Sequence, residues 1–273
     1  IKSTSFLLLF MYFSIPLHLI FSCNTTIVYR MLAILSLFTW FEIVLCFILF
    51  IPFQIVLFLL TAPFDKKRII MHYHSSLWCT IALALSPLWN LDIQGKQYLD
   101  KKKTHIVVMN HQSLLDVLIA FRLFYPVKMI SKKALAFVPI VGWNLLLSGH
   151  LLVDRKSLKS QMGVLASIEN HLNRGESILL FPEGTRTKDG EIHEFKRGTF
   201  KAAINTKTDI LPIVIDGPYQ LLPKKGFIAP GKHTIYIHIL PPVPVSEYQN
   251  AGDLAEAVRN VMVNELIAIR KVT

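Results

Sequence analysis

A histidine and a carboxylate lie five residues apart, directly after an apolar run that is typical of a β-strand. The run THIVVM (104–109) leads into His111, and Asp116 falls on the first turn of the helix expected next. From that position the Asp116 carboxylate can accept a hydrogen bond from one ring nitrogen of His111 and leave the other nitrogen available as a base. The pair could therefore remove a proton from a hydroxyl group. A histidine that merely caps the helix is the alternative.

A second apolar run, SILLF (177–181), leads into Glu183, Gly184, Thr185 and Arg186. The Arg186 guanidinium, the Thr185 hydroxyl and the backbone N–H groups around a glycine are suited to binding an anion. A polar turn without a ligand is the alternative interpretation.

Two further segments place charges at expected strand ends. GHLLVDR (149–155) is strand-like and ends in Asp154 and Arg155, which could form no more than a salt bridge at the strand exit. LPIVIDG (211–217) is typical of a buried strand followed by a turn.

Strands that alternate with helices must hold these segments in place from about residue 92 onward. Apolar or alternating runs predict five strands, at 104–109, 127–130, 177–181, 210–215 and 233–240. One helix is expected after Ser157 as its N-cap, with Gly175 just past its end, and a final helix is expected to start at Asp253. The pattern predicts an α/β fold with a mainly parallel sheet flanked by helices, in which ligands bind at the carboxyl ends of the strands.

The amino-terminal part of the chain has the composition of a membrane-associated segment. Hydrophobic residues make up 52% of the 273 residues, and residues 1–62 carry two basic residues and one acid, which leaves +10 of the net charge of +11 to the rest. We expect residues 31–90 to form membrane-associated helices and residues 91–273 to form the α/β domain. Residues 1–30 are either an upstream extension of the reading frame, because Met31 opens the next apolar run, or a first apolar segment.

The apolar run from Met31 to Ala62 is too long for one straight membrane span of about 20 residues. Pro52 and Gln54 interrupt it, and a basic cluster at 66–68 follows it. Two arrangements stay open, a hairpin that dips into one leaflet and a single tilted helix. Both place the basic domain on the cytoplasmic face of a membrane, which in a bacterium is the inner membrane.

Cysteine usage and charge distribution exclude other classes. The three cysteines form neither a CxxC motif nor a framework, so we expect no disulfide scaffold and no metal site. The basic residues are dispersed without interleaved aromatic residues, so nucleic acid is not an expected partner. A basic domain beside a bilayer suits anionic headgroups or phosphorylated substrates.

Four segments, taken together and in this order, resemble the sequence blocks of the glycerolipid acyltransferase family, most closely the 1-acyl-sn-glycerol-3-phosphate acyltransferases. The segments are NHQSLLD (110–116), GHLLVDR (149–155), FPEGTRT (181–187) and LPIVIDG (211–217). The resemblance covers about residues 70–245. Departures are few: Leu152 stands where the family usually has an aromatic residue, and Asp216 where a small or neutral residue is frequent. A further segment, KKAL (132–135), resembles the family's KKEL, and Ala134 stands there where an acid is common.

The resemblance implies an enzyme that moves a fatty acyl group from acyl-CoA or acyl-carrier protein to the sn-2 hydroxyl of 1-acyl-glycerol-3-phosphate, giving phosphatidic acid. His111, held by Asp116, would be the general base, and no cofactor would be needed. The implied substrate-binding residues are Glu183, Gly184, Thr185, Arg186, Arg155 and Lys133. Among them Arg186 would be the chief cation for the acceptor's phosphate, and Glu183 would position Arg186 or an acceptor hydroxyl.

The same resemblance implies lysophosphatidate, an acyl thioester and the bilayer as partners, and makes residues 91–273 the acyltransferase domain. Other functions stay open at this point. Within the family, glycerol-3-phosphate or another lysophospholipid could be the acceptor. In another class, a lipid esterase is disfavoured because the sequence has no GxSxG nucleophile elbow. A non-catalytic basic protein would not need His111 and Asp116 so placed.

Overall fold

The computed structural model describes residues 25–139, 141–154, 158–221 and 231–272, so most of the segment 1–30 lies outside the described residues. The α-helices of the described residues are α1 (Thr25–Thr61), α2 (Ile69–Leu85), α3 (Leu115–Arg122), α4 (Val141–Leu147), α5 (Leu158–Asn173), α6 (Arg197–Thr206), α7 (Pro218–Leu221) and α8 (Ala251–Val272). Their strands are β1 (Trp89–Gln94), β2 (Ile106–Met109), β3 (Val127–Lys132), β4 (Leu151–Val153), β5 (Ser177–Leu180), β6 (Ile210–Asp216) and β7 (His233–Ile239). Three short 3-10 helices cover Lys96–Tyr98, Lys133–Phe137 and Val245–Glu247.

These strands form one mixed sheet in the order β1-β7-β6-β2-β5-β3-β4. Neighbouring strands are parallel except β6 and β7, which are antiparallel. The predicted α/β fold with a mainly parallel sheet is therefore confirmed. Each of the five predicted strands is present, with ends within two residues of the prediction.

The edge strand β1 was not predicted, because its sequence WNLDIQ alternates apolar residues with Asn90, Asp92 and Gln94. An edge strand exposes part of its surface and tolerates such polar side chains. Since β1 begins at Trp89, the predicted boundary between residues 90 and 91 cuts through this strand, and the α/β domain starts slightly earlier than expected.

The sheet is covered on both faces. Because successive side chains of a strand point to opposite faces, β2 sends Val107 and Met109 into one core and Ile106 and Val108 into the other. The first core lies under α1, α2 and α3, and the second lies under α5, α6 and α8. This double covering explains why the central strands are continuous apolar runs in the sequence.

Helix α1 is one continuous helix of 37 residues, about 55 Å long at 1.5 Å per residue. Of the two arrangements left open for the run from Met31 to Ala62, the structure has the single helix. Pro52 lies on its exposed side without ending it, and the chain turns back only at residues 62–68. Val28–Thr61 is long and apolar enough to cross a membrane by length and composition.

Gln54, which interrupts the apolar run in the sequence, fastens α1 to the rest of the protein. Its side-chain nitrogen donates to Oδ1 of Asn144 at 2.8 Å and to Oγ of Ser148 at 3.2 Å. Ser75 of α2 donates to the same Asn144 oxygen at 3.0 Å. Because buried polar groups need such partners, Gln54 marks the face of α1 that packs on α2 and α4 and does not mark a break in the helix.

The final helix α8 begins two residues before the predicted start. Oδ1 of Asn250 accepts hydrogen bonds from the backbone N–H groups of Gly252 at 2.9 Å and Asp253 at 3.0 Å. Asn250 therefore caps the helix, and the prediction of Asp253 as its start is wrong. The predicted cap Ser157 lies outside the described residues, while Gly175 follows α5 with a φ of 72°, as the C-terminal signal predicted.

Candidate active site

Three neighbouring strands, β6, β2 and β5, bring the predicted site residues to one edge of the sheet. Asn110 fixes the turn after β2, because its side-chain nitrogen donates to the carbonyl of Ile215 at 2.8 Å and its Oδ1 accepts from the Ile215 N–H at 2.8 Å. The side-chain amide thus adds one more rung to the ladder between β2 and β6. It holds the next residue, His111, at the carboxyl end of the sheet.

His111 and Asp116 form the contact that their spacing predicted. Nδ1 of His111 lies 2.7 Å from Oδ2 of Asp116. With the proton assigned to Nδ1, the ring donates to the carboxylate, and Nε2 keeps a lone pair that can accept a proton. Phe181 stacks on the imidazole with the ring centroids 4.1 Å apart. The His111 side chain is 18% exposed, whereas that of Asp116 is fully buried, so the base is reachable and its orienting partner is not.

Asp116 is held by further hydrogen bonds. Oδ2 also accepts from the backbone N–H groups of Gln112 at 2.6 Å and Ser113 at 2.8 Å. Burial raises the pKa of the Asp116 carboxyl, and its hydrogen bonds oppose that rise. Ser113 is itself buried, and its Oγ accepts from the backbone N–H of Leu115 at 3.4 Å, so this serine supports the start of α3.

Glu183 lies behind the His111 turn. Its Oε1 accepts a hydrogen bond from the backbone N–H of His111 at 3.1 Å, and the residue is 8% exposed. Burial raises the pKa of the Glu183 carboxyl. The resemblance implied that Glu183 positions Arg186 or an acceptor hydroxyl. In the structure Glu183 contacts the His111 turn, and in the described part of the chain no ion pair joins it to Arg186, so its positioning role stays a prediction.

Arg186 lies at the same edge and is partly exposed. Within the described residues no ion pair or hydrogen bond engages its guanidinium, so the charge is available to a ligand. The backbone N–H of Thr187 donates to the carbonyl of His111 at 2.8 Å, which ties the segment after Arg186 to the His111 turn. Gly184 has a φ of 74°, and a Cβ there would collide with the side chain of Lys196. Lys196 therefore brings a second cation to this turn.

Of the remaining predicted binding residues, two are described by the structure and one is not. Thr185 is exposed beside Arg186. Lys133 begins the 3-10 helix after β3 and is exposed, and its neighbour Lys132 lines the cavity next to His111. Arg155 lies outside the described residues. Binding roles for Thr185, Lys133 and Arg155 stay predictions.

The described residues contain four histidine–carboxylate pairs, so pairing alone does not identify a catalytic histidine. The pairs are His111–Asp116, His171–Glu176, His193–Asp189 and His238–Glu265. His111 is the member of this group that lines the apolar cavity described next. No group of three or more His, Cys, Asp or Glu among the described residues is arranged to hold a metal ion.

An apolar cavity of about 280 Å³ lies beside His111. Its walls come from α1, α2, α3, β3 and α4, and they include Phe47, Trp78 and Cys79 on the side of the two long helices. Lys132, Gly184 and His111 also line this cavity. Ligand sites of this kind combine an apolar lining with a few placed polar groups. The space suits a hydrocarbon chain whose reactive end meets His111.

A polar network, which the sequence did not reveal, links the His111 turn to α8. Nε2 of Gln112 donates to Oδ1 of Asp216 at 3.1 Å and to the carbonyl of Gly190 at 3.3 Å. Arg270 donates to both Asp216 oxygens at 3.1 and 3.2 Å and to Oε1 of Glu191 at 2.6 Å. In the sequence Asp216 is distinctive only as a departure from the family blocks, and no local pattern connects it to Arg270.

We expect Arg270→Met to lower the free energy of unfolding by about 1–2 kcal/mol, because a partly exposed, bidentate ion pair to Asp216 is lost. Turnover should fall several-fold. Without Arg270 the Asp216 carboxylate is no longer held in place, and Asp216 is the partner of Gln112, the residue next to His111. Denaturant unfolding and steady-state turnover measure the two effects. Lys271→Met removes a neighbouring exposed charge and is the control. Equal losses in the two variants would contradict the role of the network.

Comparisons with known proteins agree with this geometry. A family model described as Acyltransferase matches residues 90–216. Similar curated proteins include the 1-acyl-sn-glycerol-3-phosphate acyltransferases of Chlamydomonas reinhardtii, 35% identical over 76% of this chain and 62% of the relative, and of Borreliella burgdorferi, 31% identical over 65% and 72%. The chloroplastic 1-acyl-sn-glycerol-3-phosphate acyltransferase of Arabidopsis thaliana is 33% identical over 68% of this chain and 54% of the relative. The chain thus spans about three fifths of the length of the Chlamydomonas relative and about half of the length of the Arabidopsis relative.

The crystal structure of the 1-acyl-sn-glycerophosphate acyltransferase from Thermotoga maritima has the same fold, with a TM-score of 0.77 at 22% identity over 87% of this chain and 95% of that one. Fold and sequence blocks together define the class, an α/β acyltransferase. The chain belongs to the acyltransferase family, as its four blocks predicted, and the relatives that match it carry the name 1-acyl-sn-glycerol-3-phosphate acyltransferase.

Proposed function

We propose that the protein transfers a fatty acyl group from an acyl thioester to the sn-2 hydroxyl of 1-acyl-glycerol-3-phosphate and so forms phosphatidic acid. The observation that carries the proposal is the His111–Asp116 pair beside an apolar cavity. The names of the relatives supply the acceptor and product. Acyl-CoA and acyl-carrier protein both present the required thioester.

The proton transfers follow from the tautomer of His111. Its free Nε2 takes the proton of the acceptor hydroxyl while that oxygen attacks the thioester carbonyl. The buried Asp116 carboxylate stabilises the imidazolium that forms, because the two groups are 2.7 Å apart. The tetrahedral intermediate then expels the thiolate, the C–S bond breaks, and the imidazolium returns its proton to the sulfur. An ester and a free thiol are the products, and His111 is neutral again.

The cavity beside His111 is the proposed site of the acyl chain. Its lining is mostly apolar, and Trp78 and Cys79 are buried members of the wall. A bound chain would lose contact with water along its length, and each buried methylene contributes about 0.8 kcal/mol. The thioester carbonyl of a chain held there would lie at the catalytic histidine.

The acceptor's phosphate is proposed to bind at the turn after β5. No described residue forms an ion pair with the Arg186 guanidinium there, and Lys196 lies against Gly184 of the same turn. A guanidinium can bind two phosphate oxygens at once, which orients the acceptor as well as binding it. The hydrogen bond between Thr187 and His111 holds this turn close to the base.

Membrane association is proposed to rest on α1. Large apolar side chains such as Leu37, Phe41 and Leu49 are exposed on its outer face. A basic segment at 66–68 follows the helix, which favours the cytoplasmic side for this end of the helix and for the domain attached to it. The lipid acceptor would then reach the site from the bilayer.

The function is tested with the full chain purified in detergent micelles. It is given labelled acyl-CoA or acyl-carrier protein together with lysophosphatidate, glycerol-3-phosphate or another lysophospholipid. The expected product is phosphatidic acid formed from lysophosphatidate, with release of one thiol per ester. Release of free fatty acid without an ester product would identify a lipid esterase. Preference for glycerol-3-phosphate would overturn the proposed acceptor.

We expect Cys79→Phe to shift the enzyme toward shorter acyl donors, because the larger side chain occupies part of the cavity. The ratio of kcat/KM for a long donor to that for a short donor should fall roughly tenfold or more, which corresponds to two methylenes that can no longer be buried. Using a ratio cancels any loss of folded protein. Leu146→Phe, on the exposed side of α4 and outside the cavity lining, is the control. An equal loss of kcat/KM for acyl donors of every length would show that the acyl chain binds elsewhere.

A further inference from the structure

A second cavity lies at the opposite edge of the sheet from His111. We call it the basic pocket, and its cationic lining residues are Lys67, Arg68, Lys101, Lys102, Lys103 and Lys128. Thr104, Val127 and Ser177, which precede or begin β2, β3 and β5, also line it. A strand of four residues, such as β2, separates this amino edge from the His111 edge by about 13 Å. The basic pocket is therefore distinct from the candidate active site.

The described residues balance the positive charge of the basic pocket only in part, through the carboxylates of Glu176 and Asp65 near Lys128. None of the six cations takes part in an ion pair within the part of the chain that the structure describes. Glu176 is the one carboxylate in the lining, and it is already paired with His171 and lies 3.8 Å from Arg174. Cations that share a small space repel each other unless a counter-charge is present.

Lys128 shows this imbalance most clearly, because it is only 6% exposed. Its Nζ donates to the backbone carbonyls of Lys67 at 2.7 Å and Ser148 at 2.8 Å, which are neutral acceptors. The pKa of Lys128 is lowered to about 8, mainly by burial; the carboxylates of Glu176 and Asp65 raise it, and the Arg68 charge is among those that lower it. An anion in the basic pocket would stabilise the charged form of this lysine.

Polar atoms at the basic pocket also lack partners. Nη1 of Arg68 is buried without a hydrogen-bond partner among the described residues. His72 lines the pocket, is 3% exposed, and has no hydrogen-bond partner at either ring nitrogen in the described residues, although backbone carbonyls of Tyr125 and Val127 lie near it. Buried polar atoms of this kind ordinarily meet a partner, which can be a bound ion.

The backbone of Arg68 adopts a conformation that is energetically unfavourable for a residue with a side chain. Its φ is 54° and its ψ is 35°, a left-handed conformation that is uncommon for arginine. The guanidinium carbon lies 4.4 Å from the centre of the Phe58 ring. A residue kept in this conformation, with its charge at a cavity, fits a role in binding.

We propose that the basic pocket binds a phosphate group. The volume of about 90 Å³ is on the scale of a single tetrahedral anion with its first waters. The shared chemistry is that of a phosphate with negative oxygen atoms, whether it belongs to a lipid headgroup or is free in solution. Both sources are reasonable beside α1, because the basic segment at 66–68 directly follows this apolar helix.

The test compares two triple variants of the full chain, each with three lysines changed to glutamine. The pocket variant is Lys101→Gln, Lys102→Gln and Lys103→Gln, all exposed positions at which folding should persist. The control is Lys96→Gln, Lys201→Gln and Lys271→Gln, which removes the same charge from exposed sites outside the pocket. Every chain, including the reference, carries Arg186→Ala, so that phosphate at the acceptor site does not contribute. Arg68→Asn serves as a second pocket variant, because asparagine tolerates the left-handed conformation.

Binding is read from the thermal unfolding midpoint in two arms, so the result does not depend on acyl transfer. One arm titrates inorganic phosphate against chloride at matched ionic strength in detergent micelles. The other uses nanodiscs of phosphatidylcholine with and without phosphatidylglycerol. We expect the reference and the control to be stabilised, with an apparent affinity roughly tenfold or more weaker in the pocket variants. An effect in the first arm identifies free phosphate, and an effect only in the second identifies a headgroup. No stabilisation of the reference in either arm, or equal losses in pocket and control variants, would overturn the proposal.

Discussion

His111→Ala is expected to lower kcat by roughly 10²- to 10⁴-fold, the range typical of a positioned general base. The physical reason is that Nε2 of His111 is the available base beside the apolar cavity, with Nδ1 engaged by Asp116 at 2.7 Å. Asp116→Ala should lower kcat strongly but less, because the imidazole remains while its orientation and its charge stabilisation are lost. Steady-state acyl transfer by the purified variants measures both effects.

The matched control is His238→Ala. His238 is also paired with a carboxylate, that of Glu265 at 2.6 Å, but it lies on β7 and does not line the cavity. Thermal unfolding of each variant shows whether the protein is folded. If folded His111→Ala keeps near wild-type turnover, or if His238→Ala loses as much activity, the assignment of His111 as the base is wrong.

Arg186→Ala is expected to reduce acceptor efficiency roughly 10- to 150-fold, which is the loss of one charge-assisted contact of about 1.5–3 kcal/mol. Arg186→Lys should also be impaired, because an ammonium group cannot reproduce a planar, two-point contact with phosphate. Apparent KM values for lysophosphatidate and for the acyl donor, varied separately, measure the effect. The guanidinium makes no ion pair in the described structure, so its removal leaves no buried carboxylate without a partner.

Lys188→Ala removes a nearby exposed charge on the same segment and is the control. A defect confined to the acyl-donor KM would move Arg186 to the donor site. An unchanged acceptor KM in Arg186→Ala would remove the phosphate assignment, and Lys196 would then be the cation to test at this turn.

Local patterns predicted the placement of the candidate site residues at one edge because the parts are close together in the chain. His111 and Asp116 are five residues apart, and a strand, a turn and the first helical turn suffice to bring their side chains together. The turn after SILLF, for which anion binding is a prediction, has the same local character. The apolar runs predicted the strands for a similar reason, since a strand buried on both faces must be apolar at successive positions.

Local patterns do not predict contacts between segments that are distant in the sequence. Glu183 accepts a hydrogen bond from the backbone N–H of His111, 72 residues away, a contact that no local pattern predicted. Arg270 meets Asp216 across 54 residues, and a charged residue on an amphipathic helix is equally compatible with a solvated surface. Gln54 looked like an interruption of α1 because its partner Asn144 lies 90 residues further on.

By itself the sequence determined the class of fold, the contact between His111 and Asp116, the turn that carries Arg186, and a long apolar helix at the amino end. Each depends on periodicity or on spacing within a few residues, which backbone geometry converts directly into position. Tertiary structure decided the order of the strands, and with it the meeting of the turns after β2, β5 and β6 at one edge. It also formed the apolar cavity and the basic pocket, because the walls of each come from segments that only packing brings together.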